Sequence, residues 1–325
     1  MVAAIRIHKN GGPEVLTYED VQVKDPGPNE VRLKQTAIGL NYIDTYFRSG
    51  SYPSPAGMPL IIGNEGAGVI VAVGPEVKEF KKGDRVAYYG PIGAYAAERI
   101  VPAARLIKLP KGIDEKTAAG MMLKGMTAEY LLRRTFKVAK GHTVLIHAAA
   151  GGVGLILTQW ARHLGATVIG TVGSRDKAEL VKQNGCHHAI LYSSEDFVAR
   201  VGEITKGAKC DVVYDGVGKA TFPGSLDCLK PRGYFVSFGS SSGQLDAFNI
   251  GLLQQKGSLY ATRPTLQTYS AKREDLLSIA KSLFAVVQKG AVKIAINQTY
   301  ALRDAAQAHR DLEGRKTVGS SVLLP

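Results

Sequence analysis

Cysteine is scarce in this chain of 325 residues: Cys186, Cys210 and Cys228 stand far apart and without C-x-x-C spacing. That excludes a disulfide framework and a zinc knuckle and leaves structural thiols in a reducing compartment. No apolar run is long enough to span a bilayer. The opening Met1-Val2-Ala3-Ala4-Ile5-Arg6-Ile7-His8-Lys9 lacks the long apolar core of a signal peptide, so a cytoplasmic protein with no membrane partner is expected. There is no internal repeat and no low-complexity segment. Acidic residues are in deficit, 28 Asp and Glu against 41 Lys and Arg, for a net charge of +13. Such a balance suits nucleic acid, an anionic cofactor or solubility alone. The basic residues are spread along the chain. The two densest groups, 78–85 and 133–140, lack the aromatic interleaving of a single-strand surface, which favours an anionic small molecule over nucleic acid.

What is present is more specific. Val144-Leu145-Ile146-His147-Ala148-Ala149-Ala150-Gly151-Gly152-Val153-Gly154 runs from a β-branched apolar stretch into small residues and glycines, and a helical pattern follows. This is the strand, tight turn and helix of a dinucleotide site, with alanine at the first of the three usual glycine positions. Glycine lets the turn bend and lets a pyrophosphate approach the backbone, and the N–H groups of the helix start meet its charge.

The length suits two domains, and 45% hydrophobic with 21% charged residues is ordinary globular composition. Residues 1 to about 120 carry short alternating apolar stretches broken by Gly, Pro and Asp, which reads as a mostly antiparallel, barrel-like β domain. From about 125 to 260 strands (143–148, 167–171, 188–191, 211–215, 233–238) alternate with helices (155–164, 176–184, 194–205), the pattern of a parallel sheet with right-handed crossovers. A long helix (273–289), a strand (292–296) and a last strand-like piece (318–324) follow. That last piece is expected to return to the first domain, making the nucleotide domain an insertion and the cleft between domains the site.

The second strand of an NAD site ends in a carboxylate for the ribose hydroxyls. Here Gly173 and Ser174 hold that place, and Arg175 and Lys177 follow, which favours a 2′-phosphate and therefore NADPH. Asp176 is read as the start of the next helix rather than as a ribose ligand.

Several motifs together resemble the zinc-independent, zeta-crystallin-like quinone oxidoreductases of the medium-chain dehydrogenase/reductase superfamily, the bacterial members in particular. They are His8-Lys9-Asn10-Gly11-Gly12-Pro13, Asn41-Tyr42-Ile43-Asp44, Gly63-Asn64-Glu65-Gly66-Ala67-Gly68, Lys124-Gly125-Met126-Thr127-Ala128, the glycine turn, Val213-Tyr214-Asp215-Gly216-Val217-Gly218, Phe238-Gly239-Ser240-Ser241-Ser242-Gly243 and Arg263-Pro264. The resemblance implies an α/β fold: a GroES-like β-barrel catalytic domain (1–124), a Rossmann doubly wound domain binding NADPH (125–262) and a return segment (263–325) completing the first. It also implies NADPH-dependent quinone reduction without flavin or zinc, and a homodimer. The positions of the alcohol dehydrogenases' zinc ligands are held by Asn41 and Asn64, which offer neither thiolate nor imidazole.

By the same resemblance, Asn41, Tyr42, Asp44 and Tyr46 line the nicotinamide region. Tyr130 and the turn Gly151-Gly152-Val153 contact the cofactor. Gly173, Ser174, Lys177, Tyr192 and Arg315 surround the 2′-phosphate, Arg315 through a tail folded back over the site. Val217, Phe238, Ser240 and Ser241 border the nicotinamide, and Arg263 reaches the cofactor. The expected catalytic set is Asn41, Tyr46 and Tyr52, with Tyr46 or Tyr52 donating a hydrogen bond to the quinone oxygen and the loop 51–59 governing acceptor size. Transfer of one or of two electrons stays open. So do a reductase of α,β-unsaturated carbonyls and, ranked below both, an RNA-binding or structural role.

Overall fold

The computed structural model describes residues 1–54, 57–245 and 247–325. In chain order the strands are β1 (Val2–Ile7), β2 (Thr17–Val21), β3 (Glu30–Leu40), β4 (Leu60–Ile61), β5 (Glu65–Val73), β6 (Arg85–Tyr89), β7 (Glu98–Pro102), β8 (Leu106–Lys108), β9 (Thr143–Ile146), β10 (Thr167–Val172), β11 (His188–Leu191), β12 (Cys210–Asp215), β13 (Leu229–Ser237), β14 (Tyr260–Thr262), β15 (Ile296–Ala301) and β16 (Ser320–Leu324). Unit 1 comprises Met1–Lys124, Lys272–Phe284 and Ile294–Pro325, and unit 2 comprises Gly125–Ala271 and Ala285–Lys293.

Unit 1 is built on β3, whose first residues alternate between solvent and core as a strand with one buried face must. Its main sheet has the order β15-β16-β3-β5-β6-β8, with β7 also paired to β3. The neighbours are antiparallel except β15 and β16. A second sheet, β2-β1-β4, packs its apolar residues into the same core through Ile5 and Ile7, which meet Leu33, Ile38 and Ile70.

Unit 2 carries a six-stranded parallel sheet of order β11-β10-β9-β12-β13-β14. Its central strands β9 and β12 are almost wholly buried, as strands of a parallel sheet covered on both faces are. Strand order reverses between β9 and β12. In a doubly wound sheet the loops beyond the carboxyl ends of two such strands form the ligand crevice.

Several elements depart from the sequence expectations. The helix expected at 155–164 runs Gly152–His163, so the glycines form its first turn instead of preceding it. The helix expected at 194–205 is Phe197–Ile204, because the Asp196 side chain accepts from Val198 and Ala199 N–H and caps the start there. The strand expected at 292–296 is β15. Gly290 turns the chain at φ 71, and Val292 N–H bonds back to the Val286 carbonyl, which keeps 292–295 out of the sheet.

Candidate active site

The sequence after β9 makes a tight turn at Ala148, with φ 52, and enters the helix Gly152–His163 through Gly151. No side chain caps that helix start. Only glycine fits at 154: a Cβ would stand 2.4 Å from the Ala148 carbonyl oxygen and 2.7 Å from that of Ala149. A Cβ at Gly151 would meet nothing nearer than the Ala148 carbonyl at 3.2 Å. Backbone N–H groups at an uncapped start, bare of side chains, suit a pyrophosphate.

β10 ends without a carboxylate. Ser174 Oγ accepts the Lys177 N–H at 3.4 Å and caps the helix Arg175–Gln183, with Asp176 in its first turn, where the helix dipole favours a negative charge. The Tyr192 hydroxyl lies over Gly173, where a Cβ would be 2.7 Å from it, and Tyr192 N–H bonds the Val172 carbonyl at 3.2 Å. Gly173, Ser174, Lys177 and Tyr192 therefore form one corner, with Arg175 exposed beside it. A strand end without a carboxylate of its own, followed by hydroxyl and ammonium groups, fits a phosphate monoester.

Beyond β12 and β13 a third group gathers. Asp215 Oδ1 accepts the N–H groups of Val217 and Gly218 at 2.8 and 2.9 Å. The Phe238 ring covers Gly216, and Ser241 N–H bonds the Gly216 carbonyl at 3.3 Å. The Arg263 guanidinium donates to the Gly239 carbonyl at 2.8 Å and to Ser240 Oγ at 3.0 Å. Val217, Phe238, Ser240, Ser241 and Arg263 are thus tied together. Tyr130 stacks on Tyr269, with centroids 4.7 Å apart and planes at 12°. Sequence reasoning gave no role to Tyr269, whose contact with Tyr130 spans a stretch of chain too long to leave a periodic signal, and quoted Asp215 only within the Val213–Gly218 motif.

In unit 1, Asn41 opens the helix Tyr42–Ser49, and its backbone N–H donates to Asp44 Oδ2 at 2.9 Å. The Asn41 side-chain amide donates to Glu65 Oε1 at 2.7 Å, and that of Asn64 donates to Asp44 Oδ1 at 2.7 Å. Both amides face carboxylates as donors, the reverse of what a cation needs. Glu65 also holds Lys124 Nζ at 2.8 Å. Asp44 is wholly buried, and burial pushes its carboxyl up to about 6 against the pull of hydrogen bonds from Asn64, Asn41 and Tyr95. Tyr46 packs between Tyr42 (5.6 Å) and Tyr52 (5.1 Å), a half-buried row of phenols.

Arg315 also belongs to unit 1, where its charge acts on the Tyr42 phenol, whereas Ser174, Lys177 and Tyr192 belong to unit 2. Of the loop 51–59, residues 55 and 56 lie outside the described residues.

Two family models match the chain: the alcohol dehydrogenase GroES-like domain over residues 27–111 and the zinc-binding dehydrogenase over 152–275. A quinone oxidoreductase of Pseudomonas aeruginosa is 53% identical, with 100% of each chain covered. A 2-haloacrylate reductase of Burkholderia sp is 50% identical, over 100% of this chain and 99% of the other. The crystal structure of Escherichia coli quinone oxidoreductase complexed with NADPH superposes with a TM-score of 0.97 at 48% identity, over 99% of this chain and 100% of the other. With a GroES-like unit, a parallel dinucleotide-binding sheet and full-length identity of this order, the chain belongs to the quinone oxidoreductases of the medium-chain dehydrogenase/reductase superfamily.

Proposed function

We propose that this chain reduces quinones with NADPH, without zinc or flavin. The observation that carries the reading is the corner Gly173-Ser174-Lys177-Tyr192, which offers donors and a cation where an NAD enzyme has a carboxylate. When bound, NADPH supplies the hydride; the chain's residues bind, orient and stabilise charge. Gly151, Gly152 and Val153 hold the pyrophosphate through backbone N–H groups. Ser174, Lys177 and Tyr192 hold the 2′-phosphate. Val217, Phe238, Ser240 and Ser241 border the nicotinamide, with Arg263 bracing that wall, and Tyr130 contacts the cofactor. Asn41 and Asp44 border the nicotinamide, and their hydrogen bonds also fix the helix that carries Tyr42 and Tyr46. The Tyr46 or Tyr52 hydroxyl donates to the acceptor oxygen as negative charge grows on it.

The test is NADPH oxidation with 1,4-benzoquinone, 9,10-phenanthrenequinone and 2-hexenal in parallel, with EDTA present and NADH as control. Fast, EDTA-resistant, NADPH-dependent quinone reduction is expected. A rate with hexenal far above every quinone overturns the reading in favour of an α,β-unsaturated carbonyl reductase, which the likeness to 2-haloacrylate reductase makes the second candidate.

Cytoplasmic residence is part of the proposal and is supported by three buried free thiols. So is a homodimer, supported by the edge strand β14 and by exposed Phe248, Ile250 and Tyr260 near it in sequence. Light scattering coupled to gel filtration reads the mass, and a monomer overturns that part.

A further inference from the structure

Behind the loops of unit 2 runs a line of buried polar side chains to which the proposed roles give no task. Thr171 is the penultimate residue of β10, His147 follows β9, and Ser225 lies on the short helix Gly224–Asp227. His147 Nδ1 is 2.9 Å from Thr171 Oγ1, and His147 Nε2 is 3.0 Å from Ser225 Oγ. Ser225 Oγ is 3.0 Å from Asp215 Oδ2, which also accepts from Thr221 Oγ1 at 2.7 Å. The other oxygen of Asp215 holds the Val217 and Gly218 N–H groups. The Phe197 ring closes edge-on against the imidazole at 5.0 Å. Thr171, His147, Asp215 and Ser225 are all at most 1% exposed, so bulk solvent does not compete for these bonds.

The direction of donation follows from counting protons. Burial holds the His147 ring neutral, so it has one N–H and one bare nitrogen. The single Ser225 proton has two oxygen acceptors, Asp215 Oδ2 and the Thr221 carbonyl at 3.1 Å, and a carboxylate is the strongest acceptor in reach. Ser225 Oγ is then left to accept from His147, which puts the ring proton on Nε2. The bare Nδ1 accepts from the Thr171 hydroxyl, which makes no other hydrogen bond among the described residues.

We propose that His147 is a positioning residue: as the Nε2–H tautomer it passes a one-way series of hydrogen bonds from Thr171 to Asp215. The end of β10, two residues before Gly173, and the Val217–Gly218 turn are thereby set as one body. The 2′-phosphate corner and the nicotinamide wall are the two ends of one cofactor, so fixing their spacing pre-forms its site. The functional consequence rests on the NADPH reading; the hydrogen-bond direction does not.

The experiment has two readouts. Nitrogen NMR of protein labelled at histidine, without cofactor, reads the tautomer: a proton on Nε2 of His147 is expected, and a proton on Nδ1 overturns the inference. Fluorescence titration then gives dissociation constants for NADPH and NADH. Ser225→Ala and Thr171→Val are each expected to raise both constants about tenfold and by the same factor, since a buried partner is left unsatisfied while the phosphate contacts stay. Thr171→Ser keeps the donor and is expected to restore wild-type binding. Equal constants in wild type and Thr171→Val, or a loss that Thr171→Ser does not rescue, overturn the inference and leave the proposed function standing. Wild-type protein that binds neither nucleotide overturns the function and the cofactor consequence together, while the tautomer still decides the direction.

Discussion

The Tyr95 hydroxyl donates to Asp44 Oδ2 at 3.0 Å, with the other side of its oxygen 3.1 Å from His309 Nε2. Arg48 Nη1 occupies His309 Nδ1 at 2.9 Å, so the imidazole proton sits on Nε2 and points at Tyr95. Burial drives the two titratable ends apart, Asp44 up to about 6 and His309 down to about 3.

Their effects on stability have opposite signs. Folded Asp44 holds a proton at pH values where the unfolded chain, near its ordinary 3.8, has lost it. Asp44 therefore costs stability fully above about 6 and recovers it as pH falls toward 4. Unfolded His309 takes a proton below its ordinary 6.5 that the folded chain refuses, so its stabilisation is complete above 6.5 and lost as pH falls toward 3. Urea unfolding between pH 7.5 and 4.5 is expected to show a steeper acid loss in Asp44→Asn than in wild type and a flatter one in His309→Gln. A flatter profile in Asp44→Asn would show that Asp44 is not the proton acceptor near 6.

Lys124 and Glu65 form an ion pair with side chains 7% and 0% exposed. Lys124→Met leaves a buried carboxylate with the Asn41 amide and the Leu123 N–H as the remaining donors to it among the described residues, and a loss of about 3–5 kcal/mol is expected. Lys124→Met with Glu65→Gln is expected to regain part of that loss. Denaturant titration of both variants checks the coupling.

Gly154→Ala places a methyl group against two backbone carbonyls that no rotamer change can move. A loss of about 1–3 kcal/mol and weaker NADPH binding are expected. Thermal unfolding with and without NADPH separates the two effects. An unshifted midpoint would mean the turn relaxes freely.

Lys177→Ala removes the ammonium of the phosphate corner. NADPH affinity is expected to fall about tenfold while NADH affinity stays within a factor of two, since a charged hydrogen bond is lost to the 2′-phosphate alone. An equal fall for both nucleotides would place Lys177 elsewhere on the cofactor.

The parallel sheet was legible because its strands are apolar runs that end in glycine or serine, as at Ala148–Gly154 and Thr171–Ser174. Boundaries failed where a side chain overrides pattern: the Asp196 cap shortened one helix, and Gly290 delayed the strand after another. Asn41, Tyr46 and Tyr52 were grouped through the resemblance, and the structure sets Asn41 and Tyr46 at the start of and within the helix Tyr42–Ser49, with the Tyr52 ring against Tyr46. Arg315 was placed by its expected fold-back, which spacing does not encode. His147, Ser225 and Asp215 meet only after β9 and β12 pair, and each alone is an ordinary polar residue in an apolar strand or short helix.

β16 lies hydrogen-bonded between β3 and β15, so the sheet that begins at residue 30 is closed by residues 296–324. During synthesis β3 leaves the ribosome some 280 residues before this neighbour exists, whereas the strands of unit 2 emerge consecutively. The nucleotide-binding sheet therefore has all its partners while β3, covered by β5 and at residues 30–34 by β7, still shows an open edge at Ile38–Leu40. The newborn chain is most exposed to edge-to-edge aggregation in its oldest part, and chaperones that guard it have most to do there.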